Sequence, residues 1–223
     1  MKTTYSKLSI VNIMKILNIY CGIGGNRKLW GDNHQITAVE YDPKIAKIYQ
    51  DNFPNDTVIV ADAHQYLLEH FKEFDFVWAS PPCPTHSRLR TMNKEVVYPD
   101  MSLYQEIIVL QKWFKGLWII ENVIPYYEPL IRPSLILHRH AIWCNFKISK
   151  KEFEGLGTCK IKGVRVLLQD KLGFDVSKYD GIDKRKVLRN AVVPELGLHI
   201  LNCATGNMSI IDNTQKQASL FGL

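Results

Sequence analysis

Lys15-Ile16-Leu17-Asn18-Ile19-Tyr20 runs directly into Cys21-Gly22-Ile23-Gly24-Gly25-Asn26. A short apolar run closed by glycines predicts a buried strand and a tight turn whose backbone can approach a ligand closely. A second strand candidate, Gln35-Ile36-Thr37-Ala38-Val39, ends in Glu40. That is close to the offset of about 20 residues at which an acid binds ribose hydroxyls in nucleoside-binding α/β folds. A third, Thr57-Val58-Ile59-Val60, ends in Ala61-Asp62, placing another acid where it can accept a hydrogen bond from an exocyclic adenine amine. Either acid alone would more often cap a helix. Their repetition at successive strand ends points to a bound nucleoside. The third glycine of the dinucleotide fingerprint is missing, and Asn26-Arg27 stands where a pyrophosphate-binding helix would open, which disfavours a nicotinamide dinucleotide.

Further along, Phe74-Asp75-Phe76-Val77-Trp78-Ala79 has the residue types of a buried strand, and Ser80-Pro81-Pro82-Cys83-Pro84-Thr85-His86-Ser87 follows it. Cys83 therefore leaves the sheet at a strand's carboxyl end, where open α/β folds keep their ligands. Most single cysteines only pack in cores. One set between two prolines reads instead as a presented nucleophile. The fifth strand candidate, Leu117-Trp118-Ile119-Ile120, ends in Glu121-Asn122-Val123. Apolar walls around Glu121 are expected to raise its pKa and favour the protonated form, able to donate a hydrogen bond to a ring nitrogen.

A chain of 223 residues with 46% hydrophobic content predicts one principal domain. The cysteines, five in number and far apart, show no paired short spacing, which argues against a disulfide framework or structural metal and for a reducing cytoplasm. Leu8 to Tyr20 is interrupted by Asn12, Lys15 and Asn18, so it reads neither as a signal peptide nor as a membrane span. Residues 1–14 read as an N-terminal arm. The formal charge of +6 is uneven: from Lys147 to Lys186 there are eleven Lys or Arg against six Asp or Glu. A basic segment of this kind suggests a polyanionic partner, against the plainer reading of a solvated face.

In order, Tyr20-Cys21-Gly22-Ile23-Gly24-Gly25, Glu40, Asp62, Pro81-Pro82-Cys83 with Ser87, Glu121-Asn122-Val123 and Arg189-Asn190-Ala191-Val192-Val193-Pro194 resemble the motif series of cytosine-5 DNA methyltransferases. Asp100 with Leu103-Tyr104-Gln105-Glu106 is similar to the family's helix between the cysteine and glutamate motifs. The resemblance spans roughly Lys15 to Leu201. It implies a Rossmann-like S-adenosylmethionine-dependent methyltransferase fold: α/β, with a mostly parallel seven-stranded sheet, a small basic recognition insert and a helix after Asn190 that returns to the cofactor domain. The implied division is a catalytic and cofactor-binding domain over 15–146, a reduced target-recognition region over 147–186, a returning motif over 187–210 and a flexible tail over 211–223. The implied cofactor contacts are Tyr20, Cys21, Gly22, Ile23, Gly24, Gly25, Glu40, Tyr41, Asp62, Ala63, Pro81, Asn190, Ala191 and Val192.

The resemblance also implies the chemistry. Cys83 adds to cytosine carbon 6, which makes carbon 5 nucleophilic toward the methyl sulfonium of S-adenosylmethionine; Glu121 stabilises ring nitrogen 3 and Asn122 holds the loop. A local electropositive setting, aided by Arg88 or Arg90, is expected to lower the Cys83 pKa. Cytosine inside a duplex must first be flipped out, with Ser87 and the basic segment offsetting the penalty. The family's Arg-x-Arg pair is replaced by His138-Arg139-His140, which leaves Arg139 as the nearest guanidinium. Gly155, Gly157, Gly163, Gly173 and Gly181 suit loops reaching into a groove.

The polar stretch after Ile211 ends in Gln217-Ala218-Ser219-Leu220-Phe221, which resembles the pentapeptide by which bacterial replication proteins bind the sliding clamp; Gln217, Ser219, Leu220 and Phe221 would carry that contact. The leading expectation is a DNA cytosine-5 methyltransferase acting on double-stranded DNA, either as an orphan or in a restriction-modification system. Its alternatives are a tRNA cytosine methyltransferase of the same architecture and a catalytically silent DNA- or clamp-binding module.

Overall fold

A computed structural model describes residues 13–88, 97–153 and 164–206. Residues 1–12 of the arm, Arg90, the glycines at 155, 157 and 163, and the tail peptide from Gln217 lie outside the described residues.

Strand β1 (Lys15–Ile19) lies at the centre, parallel to β2 (Gln35–Glu40) on one side and β4 (Phe76–Ala79) on the other. Beyond β2 lies β3 (Thr57–Val60), and beyond β4 lies β5 (Leu117–Val123), both parallel. The sheet is completed by β7 (His140–Cys144), antiparallel to β5, and by the edge strand β6 (Leu135–Leu137). The order β3-β2-β1-β4-β5-β7-β6 is the mostly parallel seven-stranded sheet that the motif series implies. Winding reverses between β1 and β4, and a crevice forms outside the carboxyl ends of strands at such a switch point. The glycine turn follows β1 and the Cys83 loop follows β4, so both open onto it.

Helices α1 (Pro43–Asn52), α2 (Ala63–His70) and α3 (Ser102–Trp113) are joined by α4 (Val164–Leu172), α5 (Lys184–Asn190) and α6 (Pro194–Gly206). Alternation along each strand sends side chains to opposite faces. Ile16, Phe76, Trp78 and Ile119 pack with Ile48 and Tyr49 of α1, Leu188 of α5 and Leu196 and Ile200 of α6. Leu17, Ile19, Val77 and Ile120 face Leu67 of α2 and Leu103, Ile107 and Leu110 of α3. Burial on both faces explains the near-continuous apolar strands.

Three strand limits differ from expectation. Tyr20 leaves β1 with a left-handed φ of 54°. Phe74 and Asp75 precede β4, which starts at Phe76. Glu121, Asn122 and Val123 lie inside β5, because the antiparallel ladder with β7 pairs them with Ile142, Ala141 and His140. Residues 164–186 also differ from the expected loops: α4 occupies part of the segment, and Leu168, Leu172, Phe174 and Val176 enter the core. The chain then crosses α1, where Tyr179 donates to Asp51 at 2.9 Å and Lys44 to the Gly181 carbonyl at 3.2 Å.

The returning helix meets the glycine turn backbone to backbone. A Cβ added at Gly197 would stand 2.2 Å from the Asn26 carbonyl oxygen, and one added at Gly25 would stand 2.3 Å from that of Val192. Among the described residues, no helix is long and apolar enough to cross a membrane.

Candidate active site

Cys83 is half-buried at the head of a tight turn. Its carbonyl accepts from the backbone N–H groups of His86 and Ser87, both at 3.0 Å. Three further contacts fix this loop. Asn122 Nδ2 donates to the Pro81 carbonyl at 3.0 Å, Tyr126 N–H bonds the His86 carbonyl at 3.1 Å, and His86 Nδ1 lies 2.6 Å from the Tyr127 hydroxyl. Ser87 pairs with Pro125 in an isolated bridge. The loop holding the thiol is thus tied to β5, through Asn122, and to the chain that follows it.

Glu121 is buried beside this loop, and His140 Nδ1 hydrogen-bonds its carboxylate. Ser80 adds a hydroxyl bond to the same carboxylate and itself accepts from Trp78 Nε1 at 2.9 Å. The expectation that burial would raise the Glu121 pKa is therefore corrected. Burial does push it up, but the charge and hydrogen bond of His140, the Ser80 hydroxyl and the charge of Arg139 outweigh it, and the value falls below the ordinary glutamate range. The expectation for Cys83 is corrected too: burial and the nearby Glu121 charge raise the thiol pKa, and the opposing pull of Arg139 is smaller. Among the described residues, Arg139 is a cation that pulls on the thiol; it sits exposed in the two-residue turn between β6 and β7, after His138 at φ 55°. His140, the second histidine of the motif, sits against the glutamate, and its Nε2 is buried without a protein partner.

On the far side of the crevice, Glu40 at the end of β2 accepts from Gly22 N–H at 3.0 Å and Asp42 N–H at 3.1 Å. Burial raises its pKa despite these bonds. Asp62 caps α2 through Gln65 N–H at 2.8 Å, and Ala63 opens that helix. Ile23 and Cys21 are buried beneath the turn, whereas Tyr41 is 75% exposed. Gly22 takes φ 56°, and a Cβ there would meet nothing within 4 Å, so open space borders its backbone. Ala191 and Val192 touch Gly25 from the other side, and Asn190 closes α5. Open space beside a glycine backbone, flanked by acids at two strand ends, fits a nucleoside-bearing cofactor. Among the described residues, no cluster of His, Cys, Asp or Glu is arranged to hold a metal ion.

Residue-by-residue reading gave no role to Arg27, Ser80, Glu106 or His64. Arg27 is 2% exposed and bonds Asp56 through Nε at 2.9 Å and Nη2 at 3.0 Å, locking the glycine turn to the start of β3. Glu106 had a legible signal, an acid on the apolar stripe formed by Leu103, Ile107 and Leu110.

The model of the C-5 cytosine-specific DNA methylase family matches residues 14–125, and the chain belongs to that family. Its cofactor is S-adenosylmethionine, which the open glycine turn fits. No curated protein matches the chain. Among solved structures, a DNMT2 variant from Spodoptera frugiperda is 24% identical over 49% of this chain and 35% of its own, with a TM-score of 0.37. A SAM-dependent methyltransferase from Agrobacterium tumefaciens is 14% identical over 52% of this chain and 41% of its own, with a TM-score of 0.40. The chain thus spans about a third of the length of the Spodoptera protein.

Proposed function

We propose that the chain is a DNA cytosine-5 methyltransferase acting on a flipped-out cytosine through a covalent bond from Cys83 to carbon 6. The observation that carries this reading is the convergence of a thiol and a carboxylate from neighbouring strands. The Asn122 bond to Pro81 ties the cysteine loop to the strand bearing Glu121, whose charge reaches the thiol. Bound S-adenosylmethionine supplies an electrophilic methyl group. The protein's task is to make carbon 5 of the base attack it.

A raised thiol pKa means that Cys83 rests largely protonated at neutral pH, so thiolate formation belongs to the loaded site. Addition to carbon 6 pushes electron density toward nitrogen 3. We assign the stabilisation of that developing charge to Glu121, which the His140 hydrogen bond holds in place. The buried, unpartnered His140 Nε2 offers a further polar contact to the ring. Once carbon 5 has taken the methyl group, solvent removes its proton, the double bond between carbons 5 and 6 re-forms, and the carbon 6–sulfur bond breaks to release Cys83 as thiolate. The basic residues between Lys147 and Lys186 support a nucleic-acid substrate, and the family description favours DNA. The test is methyl transfer from labelled S-adenosylmethionine to unmethylated duplex DNA, with tRNA in parallel and Cys83→Ala as control. Label in DNA that depends on Cys83 supports the reading; label confined to tRNA moves the enzyme to RNA.

A further inference from the structure

Outside the thiol site, the described chain buries one carboxylate in a way that core packing does not explain. Glu106 of α3 is 0% exposed, on a helix face otherwise built from Leu103, Ile107 and Leu110. One of its oxygens, Oε1, takes two bonds: the Tyr20 hydroxyl donates to it at 2.5 Å, and His64 Nδ1 lies 2.8 Å away. The other, Oε2, is buried with no partner. A buried carboxylate that leaves an acceptor empty is a weak source of stability, and such groups call for another explanation.

The two partners supply it. Tyr20 is the residue at which the chain leaves β1 in a left-handed conformation, two positions before the open backbone of Gly22. A tyrosine seldom adopts φ 54° unless something holds it there. His64 is the second residue of α2, immediately after the Asp62 cap and Ala63. Its ring is further held by Gln105 Oε1 at 3.2 Å. One carboxylate on α3 therefore ties the residue after β1 to the first turn of α2, which follows β3, on either side of the β2 end that carries Glu40.

We propose that Glu106 is a positioning residue for the cofactor: it fixes Tyr20 and the Asp62–His64 turn in the geometry that receives the nucleoside of S-adenosylmethionine. This rests on the cofactor site proposed around Gly22, Glu40 and Asp62. Glu106 itself touches no reacting atom. Glu106→Leu, which removes both bonds, weakens cofactor binding, whereas Glu106→Gln, which keeps an oxygen to accept from Tyr20, restores part of it. Tyr20→Phe removes one of the two ties and weakens binding by less than Glu106→Leu; the double variant Tyr20→Phe, Glu106→Leu binds no worse than Glu106→Leu alone, because the tyrosine bond is already gone.

The experiment is calorimetric titration of the full chain and its variants with S-adenosylhomocysteine, alongside thermal unfolding and steady-state methyl transfer. The expected result is a Kd about tenfold higher for Glu106→Leu, a KM for the cofactor raised in parallel, kcat at saturating cofactor within about twofold, and a midpoint of unfolding unchanged or raised. A Kd unchanged in Glu106→Leu while the parent chain binds overturns the proposal, as does a loss of affinity matched by a fall in thermal stability that Glu106→Gln does not relieve. A parent chain that fails to bind S-adenosylhomocysteine contradicts the cofactor site itself.

Discussion

His140 hydrogen-bonds Glu121 diagonally across the antiparallel β5–β7 ladder: Glu121 stands opposite Ile142, and His140 lies two residues along the same face. Diagonal neighbours of this kind are within reach of long side chains. His140 is the histidine of the His138-Arg139-His140 stretch that meets the glutamate. Glu121 in turn acts on Cys83, because its charge raises the thiol pKa.

Removing the Glu121 charge should make Cys83 more reactive. Because the carboxylate raises the thiol pKa, Glu121→Gln lowers it, and the rate of iodoacetamide alkylation at pH 7 is expected to rise several-fold. In the unmodified chain the same rate should be slow at neutral pH and climb steeply as pH increases. Mass spectrometry of the Cys83 peptide over a pH series reads both effects.

His140→Ala leaves Glu121 buried with its main charge partner gone, so the Glu121 pKa moves up toward the value that burial alone imposes. The expected consequence is a fall in kcat of about a hundredfold, the scale of losing a group that holds a charge-stabilising residue in place, with a smaller change in KM for the cofactor. Single-turnover methyl transfer would check it. Arg139→Ala, at an exposed turn whose charge acts from a distance, should lose less.

The returning helix sets a steric limit that α6 cannot relax. Gly197→Ala drives a Cβ against the Asn26 backbone, and Gly25→Ala drives one against Val192, so each should lower the unfolding midpoint and weaken S-adenosylhomocysteine binding together. Arg27→Met, which strands Asp56 at 6% exposure, should destabilise by about 3–5 kcal/mol in urea titration. Tyr49, which also donates to Asp56, is then left bonding an uncompensated carboxylate.

Much of this was readable in the residues. Apolar runs ending in the glycine turn, Glu40, Asp62 and Cys83 mark β1 to β4 in order, and both acids and the thiol lie at the carboxyl ends of their strands. The charge states were not readable, because they depend on contacts across β5–β7 that only strand register decides; Glu121 looked like an acid in an apolar wall until β7 brought His140 to it. Glycine spacing likewise could not show that residues 164–186 would fold a helix into the core, where Phe174 packs on Phe53 at a centroid distance of 6.3 Å.

The stabilising effect of the His64–Glu106 pair should depend on pH. The Glu106 hydrogen bond raises the His64 pKa above its ordinary 6.5. A raised folded-state value stabilises fully below about 6.5, down to where Glu106, whose own pKa burial raises, takes up a proton, and is lost as pH climbs through the raised His64 value. The stability difference between the parent chain and His64→Ala, measured by urea unfolding, should therefore be larger at pH 5.5 than at pH 8.5.

The central claim is a covalent bond from Cys83 to the base, and duplex DNA carrying 5-fluorocytosine tests it most directly. Release of Cys83 requires loss of a proton from carbon 5, and fluorine there cannot leave as a cation, so the adduct persists after methyl transfer. With S-adenosylmethionine present, a denaturation-resistant protein–DNA complex is expected, its cross-link mapping to Cys83 and absent from Cys83→Ala. Methylation of ordinary duplex DNA without any trapped complex on the fluorinated duplex, or a cross-link at another residue, would contradict it.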